Sequence, residues 1–292
     1  MYQPTLNSGC VCRPLEGKLA IVTGGVRGIG AGIAEALASK GCSIILGFTS
    51  TSSVKIANKT AAELSKSYDV VVYPVQADLG TATGPASLVS QAKELFADPA
   101  TGKFQVDIIV NNAGISGIVP ISQIKAEEVQ NLYAVNVQGP LLLIQAAQSY
   151  LPNDRSGRIV NISSVSSYFG FVGQSVYAGT KAALDAMTRN WSRELAENAT
   201  VNSVNPGPVI YSLYHSTAAG ADFHKMYKPY MQIAPLAAVR ANIDGIEAVR
   251  ASEDTGGRAA DVKEVAGVVL MLCSKEAGWC TGSVIPIFED VW

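Results

Sequence analysis

The chain has 292 residues, of which 48% are hydrophobic and 16% are charged, and its formal net charge is −2. This composition is typical of a globular protein with a substantial core, and the charge gives no sign of the basic surface expected of a nucleic-acid-binding protein. The five cysteines are an odd number in a long chain, which favours reduced thiols in an intracellular compartment over a disulfide framework.

Membrane, secretory and metal-binding functions find no support in the sequence. No stretch approaches the ~20 apolar residues of a membrane span, and residues 1–17 lack the apolar segment of a secretory signal. We therefore expect a cytoplasmic protein in which residues 1–17 form a loose extension ahead of the domain. Cys10 and Cys12 resemble half of a metal site, but His215 and His224 are the only histidines. No metal site is predicted, because a closed tetrahedral site needs four placed ligands.

Short β-branched runs alternate with alanine-rich helical stretches along the chain. The pattern predicts strands at 18–24, 42–48, 70–79, 106–114, 157–164, 200–207 and 283–288. Helices are predicted at 30–41, 60–67, 85–97, 126–150, 177–196 and 261–274. Apolar strands separated by helices indicate a parallel sheet covered on both faces, which right-handed crossovers turn into a doubly wound α/β fold. We interpret residues 18–292 as one domain.

Residues 208–255 interrupt this alternation, because they contain no sheet-like run. The segment is rich in aromatic residues and methionines, namely Tyr211, Tyr214, Phe223, Met226, Tyr227, Tyr230 and Met231. An insertion of this length in a compact domain is usually functional or disordered. Its composition favours a lid over a substrate pocket, and the alternative is an arm that contacts another subunit.

A glycine-rich segment, "TGGVRGIG" (23–30), joins the first predicted strand to the first predicted helix. Its glycines at 24, 28 and 30 allow the backbone to turn tightly and to approach a pyrophosphate held at a helix N-terminus. A glycine-rich turn alone is a weak signal. Its place between the first strand and helix of a doubly wound sheet makes a dinucleotide site the stronger interpretation.

Tyr177 and Lys181 form the only Tyr-x-x-x-Lys pair in the sequence. Residues four apart lie on the same face of a helix, one turn from each other. A free tyrosine titrates near ~10, and a neighbouring ammonium stabilises the phenolate and lowers that pKa. The pair is therefore suited to exchanging a proton with a substrate oxygen.

Seven motifs follow one another in the order found in the short-chain dehydrogenase/reductase family. They are "TGGVRGIG" (23–30), "ADL" (77–79), "NNAG" (111–114), "VNVQG" (135–139), "RIVNISS" (158–164), "YAGTK" (177–181) and "NPGPV" (205–209). The chain resembles this family over nearly its whole length. The resemblance implies a Rossmann-like domain of about seven parallel strands, an oxidoreductase activity and a nicotinamide cofactor.

The glycine loop, the end of the second strand and the family motifs together give the predicted cofactor contacts. These are Gly24, Arg27, Gly28, Ile29, Gly30, Thr49, Ser50, Asp78, Leu79, Asn112, Ala113, Gly114, Tyr177, Lys181, Pro206, Gly207 and Val209. Residues 47–53 contain no carboxylate that would repel a 2′-phosphate. Thr49 and Ser50 offer hydroxyl donors, and Arg27 can meet the phosphate charge, unless it simply lies on the surface. This combination predicts NADP(H).

The resemblance also implies the roles of four catalytic residues. Tyr177 is the general acid in reduction and the base in the reverse direction, and Lys181 lowers its pKa and holds the nicotinamide ribose. Ser164, which lies thirteen residues before the tyrosine, polarises the substrate carbonyl, with Ser163 as its neighbour. Asn136 anchors a water that links Lys181 to solvent. The alternatives are structural: a strand-end hydroxyl for the serine, and an asparagine bonded to backbone for Asn136.

Two departures from the family pattern concern the segment after "NPGPV" and the last residues. Tyr211, followed by Ser212, occupies the position of a threonine that contacts the nicotinamide carboxamide in the family. The usual Asp-Gly-Gly after the last strand is replaced in "VIPIFEDVW" (284–292). Because that end lies near a subunit interface in the family, both a homodimer and a homotetramer stay open.

The leading functional prediction is an NADPH-dependent reductase of a fairly large apolar or aromatic ketone, such as a secondary metabolite. An NAD-linked alcohol dehydrogenase is one alternative, and a reductase of carrier-bound 3-oxoacyl groups is another. A cofactor-binding regulator without catalytic activity is the alternative from a different class. The intact Ser164, Tyr177 and Lys181 weigh against it.

Overall fold

A computed structural model describes residues 13–210 and 219–288. Its centre is a parallel sheet of seven strands in the order β3-β2-β1-β4-β5-β6-β7. The strands are β1 (Leu19–Thr23), β2 (Ser43–Phe48), β3 (Val72–Gln76), β4 (Ile108–Asn111), β5 (Gly157–Ile162), β6 (Ala199–Pro206) and β7 (Val284–Ile287). The seven-stranded, doubly wound α/β fold predicted from the sequence is confirmed.

Helices cover both faces of the sheet. They are α1 (Gly28–Ala38), α2 (Val54–Tyr68), α3 (Gly84–Phe96), α4 (Ala126–Tyr133), α5 (Gly139–Ala147), α6 (Ser175–Glu194), α7 (Ala219–Ile233), α8 (Ile246–Thr255) and α9 (Val262–Cys273). A π-helical turn, Ala134–Gln138, joins α4 to α5. The helix predicted at 126–150 is therefore divided into α4, this turn and α5.

The core lies in two layers because successive strand residues point to opposite faces. In β1, Ala20 and Val22 pack with α1, α2 and α9, whereas Leu19 and Ile21 pack with α3, α5 and α6. Full burial of an aliphatic side chain stabilises a fold by roughly 1.5–3 kcal/mol relative to its exposure. The two layers hold the strand ends, and the site built on them, in fixed positions.

Two segments outside the regular alternation differ from the sequence predictions. Residues 13–17, placed in a loose extension, instead form a turn packed on the domain: Leu15 is buried, and its N–H donates to the Lys40 carbonyl at 3.0 Å. Residues 1–12 lie outside the described residues. The 208–255 segment, in which the sequence predicted neither strands nor helices, contains α7 and α8.

Candidate active site

The predicted site residues converge on the carboxyl edge of the sheet. β1 ends at Thr23, β4 at Asn111, β5 at Ile162 and β6 at Pro206, and these four strands are neighbours. The strand order reverses between β1 and β4, which is where ligands bind in open α/β sheets. The glycine loop and the Asn-Asn-Ala-Gly motif lie on the two sides of this reversal.

The glycine loop forms a cradle that only a residue without a side chain can line. Gly24 and Gly28 have φ values of 62° and 55°, in the left-handed region that favours glycine. A Cβ on Gly30 would lie 2.3 Å from the Gly24 carbonyl oxygen. Helix α1 begins at Gly28 without a side-chain cap, so its first backbone N–H groups are available to a phosphate. Ile29 is half-buried in the same turn. The cradle fits the pyrophosphate of a dinucleotide.

Asn112 attaches this loop to β4. Its Nδ2 donates to the Thr23 carbonyl at 2.9 Å and to the Gly24 carbonyl at 3.2 Å. The Thr23 hydroxyl in turn accepts the backbone N–H groups of Asn112 at 3.0 Å and Ala113 at 2.9 Å. The Asn112 side chain thus supports the loop, and Thr23, which the sequence did not single out, is its partner.

Arg27 reaches the end of β2. Its Nη2 donates to the hydroxyl of Ser53, which is buried, whereas Thr49 and Ser50 are exposed. Gln76 at the end of β3 donates to the Thr49 carbonyl at 3.0 Å and fixes the backbone there. A guanidinium and several hydroxyls therefore border the place where the adenine ribose lies in dinucleotide-binding sheets.

Asp78 and Leu79 follow β3 at the same edge. The Asp78 Oδ1 accepts the Gly80 N–H at 3.0 Å, and Leu79 is buried in the core. β3 ends at Gln76, short of the predicted residue 79. The carboxylate of Asp78 organises a turn, and its place beside β2 is compatible with an adenine contact.

Tyr177 and Lys181 lie one turn apart at the start of α6, as their spacing predicted. The Lys181 Nζ is 5.8 Å from the centroid of the Tyr177 ring and donates to the Ile162 carbonyl at 2.8 Å. Lys181 is 5% exposed, and this burial lowers its pKa to about 8, opposed by the charge of Asp185. The arrangement places an ammonium beside a phenol that is half-buried.

The two neighbouring serines after β5 point in different directions. The Ser163 hydroxyl donates to the Lys181 backbone carbonyl at 3.1 Å, so it supports helix α6. The Ser164 hydroxyl instead accepts the Ser166 N–H and donates to the Ser166 hydroxyl, both at 3.1 Å. A hydroxyl proton can rotate away from such a neighbour, which leaves Ser164 as the serine able to donate to a carbonyl.

Asn136 is buried in the π-helical turn, a geometry frequent at functional sites. Its Oδ1 accepts the Ile115 N–H at 2.9 Å, and its Nδ2 donates to the Ile115 carbonyl at 2.8 Å and to Thr180 at 3.1 Å. A Cβ on Gly114 would lie 3.2 Å from the Asn136 Oδ1 and 3.5 Å from the Lys181 Nζ. The π-helical turn thus lies close to Lys181, and the side-chain amide of Asn136 is bonded to the Ile115 backbone.

The segment after β6 closes the edge. The Gly207 N–H donates to the Ile287 carbonyl at 3.1 Å, and a Cβ on Gly207 would lie 2.6 Å from the Phe288 ring. Pro206 ends β6, and the Val209 side chain belongs to the buried core. Tyr211 and Ser212, considered for the nicotinamide carboxamide, lie outside the described residues.

An aromatic cluster links α7 to the loop after Ser164; it consists of Phe169, Phe171, Tyr227, Tyr230 and Phe288. Phe171 and Tyr227 have ring centroids 4.5 Å apart, and both rings are buried. The Tyr227 hydroxyl is 3.3 Å from the Ser166 hydroxyl, which contacts Ser164. Tyr227 and Tyr230, two of the aromatics that the sequence suggested for a lid over a pocket, therefore pack against Phe169 and Phe171 and anchor α7.

The family model for short chain dehydrogenases matches residues 18–219. The chain belongs to the short-chain dehydrogenase family. It is accordingly an oxidoreductase that interconverts alcohol and carbonyl groups of a small molecule with a nicotinamide cofactor. The family predicted from the seven motifs is confirmed.

Two relatives of this short-chain dehydrogenase are reductases of L-xylo-3-hexulose and L-xylulose by name. It is 48% identical to an L-xylo-3-hexulose reductase from Hypocrea jecorina, over 94% of this chain and 96% of that protein. It is 46% identical to an L-xylulose reductase from Aspergillus niger, with the same shares covered. Among solved structures, an angucycline C-6 ketoreductase with bound NADP has a TM-score of 0.77 at 28% identity, over 94% of this chain and 95% of that one.

In the part of this dehydrogenase that the structure describes, no helix is both long and apolar enough for a membrane span. The same residues contain no group of three or more histidine, cysteine, aspartate or glutamate side chains placed to hold a metal ion. Cys10, Cys12 and His215 lie outside the described residues.

The sequence did not predict the buried polar groups that lie between α6 and β6 next to the site. Asp185 lies on α6 and is buried against Ser203 and Asn205 of β6. Asp185 follows Lys181 by four residues, so the helical spacing that identified the Tyr177–Lys181 pair could have found it. Its partners on β6 carry no such signal.

Proposed function

We propose that this short-chain dehydrogenase reduces a ketone to a secondary alcohol with NADPH. The observation that carries the proposal is the Tyr177–Lys181 pair on α6, which lies beside the end of β5 at the same edge as the glycine cradle. When bound, the dinucleotide supplies the hydride for the carbonyl carbon. The protein's own residues then have to orient the ketone and deliver a proton to its oxygen.

Tyr177 delivers that proton. As negative charge develops on the carbonyl oxygen, the phenol O–H transfers its proton, and the Lys181 ammonium stabilises the phenolate that is left. Ser164 donates a hydrogen bond to the same oxygen and polarises it. Asn136 holds the backbone at Ile115 beside Lys181, where a water bonded to that backbone would return a proton from solvent.

NADP(H) is the proposed cofactor because Arg27 donates to the Ser53 hydroxyl just after the end of β2, where a 2′-phosphate would lie. A guanidinium pairs with a phosphate through charge-assisted hydrogen bonds, and residues 47–53 present no carboxylate against a 2′-phosphate. The bound NADP of the angucycline ketoreductase supports the same choice. An NAD-linked dehydrogenase is less favoured, because a carboxylate at this place is what selects the ribose hydroxyls of NAD.

For the substrate we propose a polyhydroxylated ketone of the ketose class. Relatives at 48% and 46% identity carry the names of L-xylo-3-hexulose and L-xylulose reductases. The aromatic rings of Phe169, Phe171 and Tyr227 are buried in contacts with one another, which leaves less apolar surface for a ligand.

A large aromatic ketone is the second candidate. Apolar side chains are exposed on α7, α8 and the loops before α4 and α6, including Ile121, Val172, Ile233 and Ile246. The angucycline C-6 ketoreductase, whose fold is similar, is named for the reduction of an angucycline at C-6. Whichever substrate is right, we propose that the protein is a homodimer or homotetramer and that it is cytoplasmic.

A ketone panel tests the function directly. The purified protein is incubated with NADPH or NADH and with ketoses, aromatic ketones or a carrier-linked 3-oxoacyl ester, while the nicotinamide absorbance is followed. We expect oxidation that depends on a ketose and is faster with NADPH. Turnover only with aromatic ketones would select the second candidate, and equal rates with NADH would refute the cofactor choice.

A further inference from the structure

A buried carboxylate lies behind the catalytic pair. Asp185 is one helical turn beyond Lys181 and 7% exposed. Its Oδ1 accepts the Ser203 hydroxyl at 2.7 Å, and its Oδ2 accepts the Asn205 Nδ2 at 2.9 Å. A buried carboxylate is costly unless it is bonded in this way, so these two hydrogen bonds are what makes its burial possible.

Asn205 connects this carboxylate to the serine turn. The side chain is fully buried, and its Nδ2 also lies 2.8 Å from the Ser167 hydroxyl and 3.2 Å from the Ser164 carbonyl oxygen. The turn that presents Ser164 is therefore attached to Asp185 through one amide. Asp185 fixes the orientation of that amide, because the carboxylate only accepts hydrogen bonds.

The charge of Asp185 also acts on Lys181. Among the described groups around the ammonium, α6 contributes two that can carry charge, Tyr177 on one side and Asp185 on the other. The other elements present neutral groups there: β5 contributes the Ile162 carbonyl, the π-helical turn Asn136, and the loop after β4 Gly114. Asp185 is thus the carboxylate that offsets the burial of the ammonium.

We propose that Asp185 is a positioning residue for the reaction, which keeps Lys181 charged through space and holds the Ser164 turn in place through Asn205. The inference rests on the roles proposed above for Tyr177, Lys181 and Ser164. It assigns Asp185 no contact with substrate or cofactor.

The sign of the expected pH effect follows from the pKa of Lys181. Burial lowers it to about 8, and the Asp185 carboxylate raises it against that effect. Without the carboxylate, the Tyr177–Lys181 pair loses its first proton at a lower pH. Because reduction requires both protons, its alkaline limit moves toward lower pH.

The test compares Asp185→Asn with Ser203→Ala. Asp185→Asn removes the charge at nearly constant shape, whereas Ser203→Ala removes one hydrogen bond to the same carboxylate and keeps the charge. For ketone reduction, we expect the alkaline limb of kcat/KM against pH to move down by about 1 pH unit in Asp185→Asn and to stay in place in Ser203→Ala. Asn205→Ala should lower kcat by about tenfold without moving the limb, because the Ser164 turn loses its attachment.

An unchanged limb in a folded Asp185→Asn protein would overturn the inference. If that variant does not fold, Asp185→Glu and Asp185→Gln provide a matched pair that differs only in charge, and the limb must shift in the glutamine variant alone. Lack of ketone-dependent NADPH oxidation in the parent protein would instead count against the proposed function. A parent that turns over and a limb that does not move would leave that function standing.

Discussion

The proposed cofactor side of the site, around the glycine loop, and the proposed substrate side, around α7, are held together by different forces. On the cofactor side, the glycine loop is fixed by hydrogen bonds between buried strand ends, such as those from Asn112 to Thr23 and Gly24. On the substrate side, α7 lies outside the sheet and is anchored by aromatic packing, with the Ser166–Tyr227 hydroxyl contact as its polar link to the serine turn. Hydrogen bonds require a narrow range of distances and angles, whereas aromatic packing tolerates many side-chain combinations. The difference suggests that the chemistry is built into the sheet and that substrate choice is built into the surrounding helices.

The largest effect is expected where both sides meet, at Tyr177. Tyr177→Phe removes the proton donor and leaves the ring in place, so kcat for ketone reduction should fall by about 100- to 10,000-fold. The NADPH dissociation constant, measured by fluorescence titration, should change little. Undiminished turnover would refute the role assigned to Tyr177.

Ser164→Ala should have the next largest effect, because it removes a hydrogen bond to the carbonyl oxygen. We expect kcat to fall by about 100-fold, with NADPH binding unchanged. Ser163→Ala is the matched control, since that hydroxyl bonds to the Lys181 backbone. Equal losses in both variants would contradict the assignment of Ser164.

Arg27→Ala tests the cofactor side alone. Loss of a charge-assisted hydrogen bond to a phosphate should raise the KM for NADPH by about tenfold or more, while the KM for NADH changes little. NADH therefore serves as the internal control, and Arg193→Ala, an exposed arginine in the last turn of α6, as the control for lost surface charge. A parallel rise of both KM values would point to general damage of the loop.

Phe171→Ala tests the substrate side. It should raise the KM for the ketone several-fold and lower the free energy of unfolding by about 3 kcal/mol, because a buried aromatic ring is lost. Phe104→Ala is the control: that ring lies outside the aromatic cluster, in the core layer formed with α3, α5 and α6, and packs edge-on against Tyr150 with centroids 5.1 Å apart. It should destabilise the protein similarly and leave the KM unchanged. A shifted NADPH affinity in Phe171→Ala alone would break the separation of the two sides.

The sequence was most informative where a function depends on local spacing. Patterns within a few residues of each other predicted the strands, the glycine loop and the Tyr177–Lys181 pair. The order of the seven motifs predicted the family. The contacts of Asp185 with Ser203 and Asn205 join residues 18 and 20 positions apart on different elements, so no local pattern encodes them. The same holds for Asn111, whose Nδ2 donates to Asn161 of β5 at 2.8 Å. Helices α7 and α8 were not predicted, and Pro229 lies inside α7, where a proline usually interrupts a helix.

At the centre of this account, one edge of the sheet holds both the nicotinamide that gives a hydride to the ketone carbon and the Tyr177 phenol that gives a proton to the ketone oxygen. Deuterium transfer tests it most directly. With NADPH deuterated at the reactive nicotinamide carbon and a ketose as substrate, we expect deuterium on the new carbinol carbon of the alcohol. The Tyr177→Phe variant should still bind NADPH but should no longer transfer the deuterium. NADPH consumption without label in the product, or undiminished transfer in Tyr177→Phe, would contradict it.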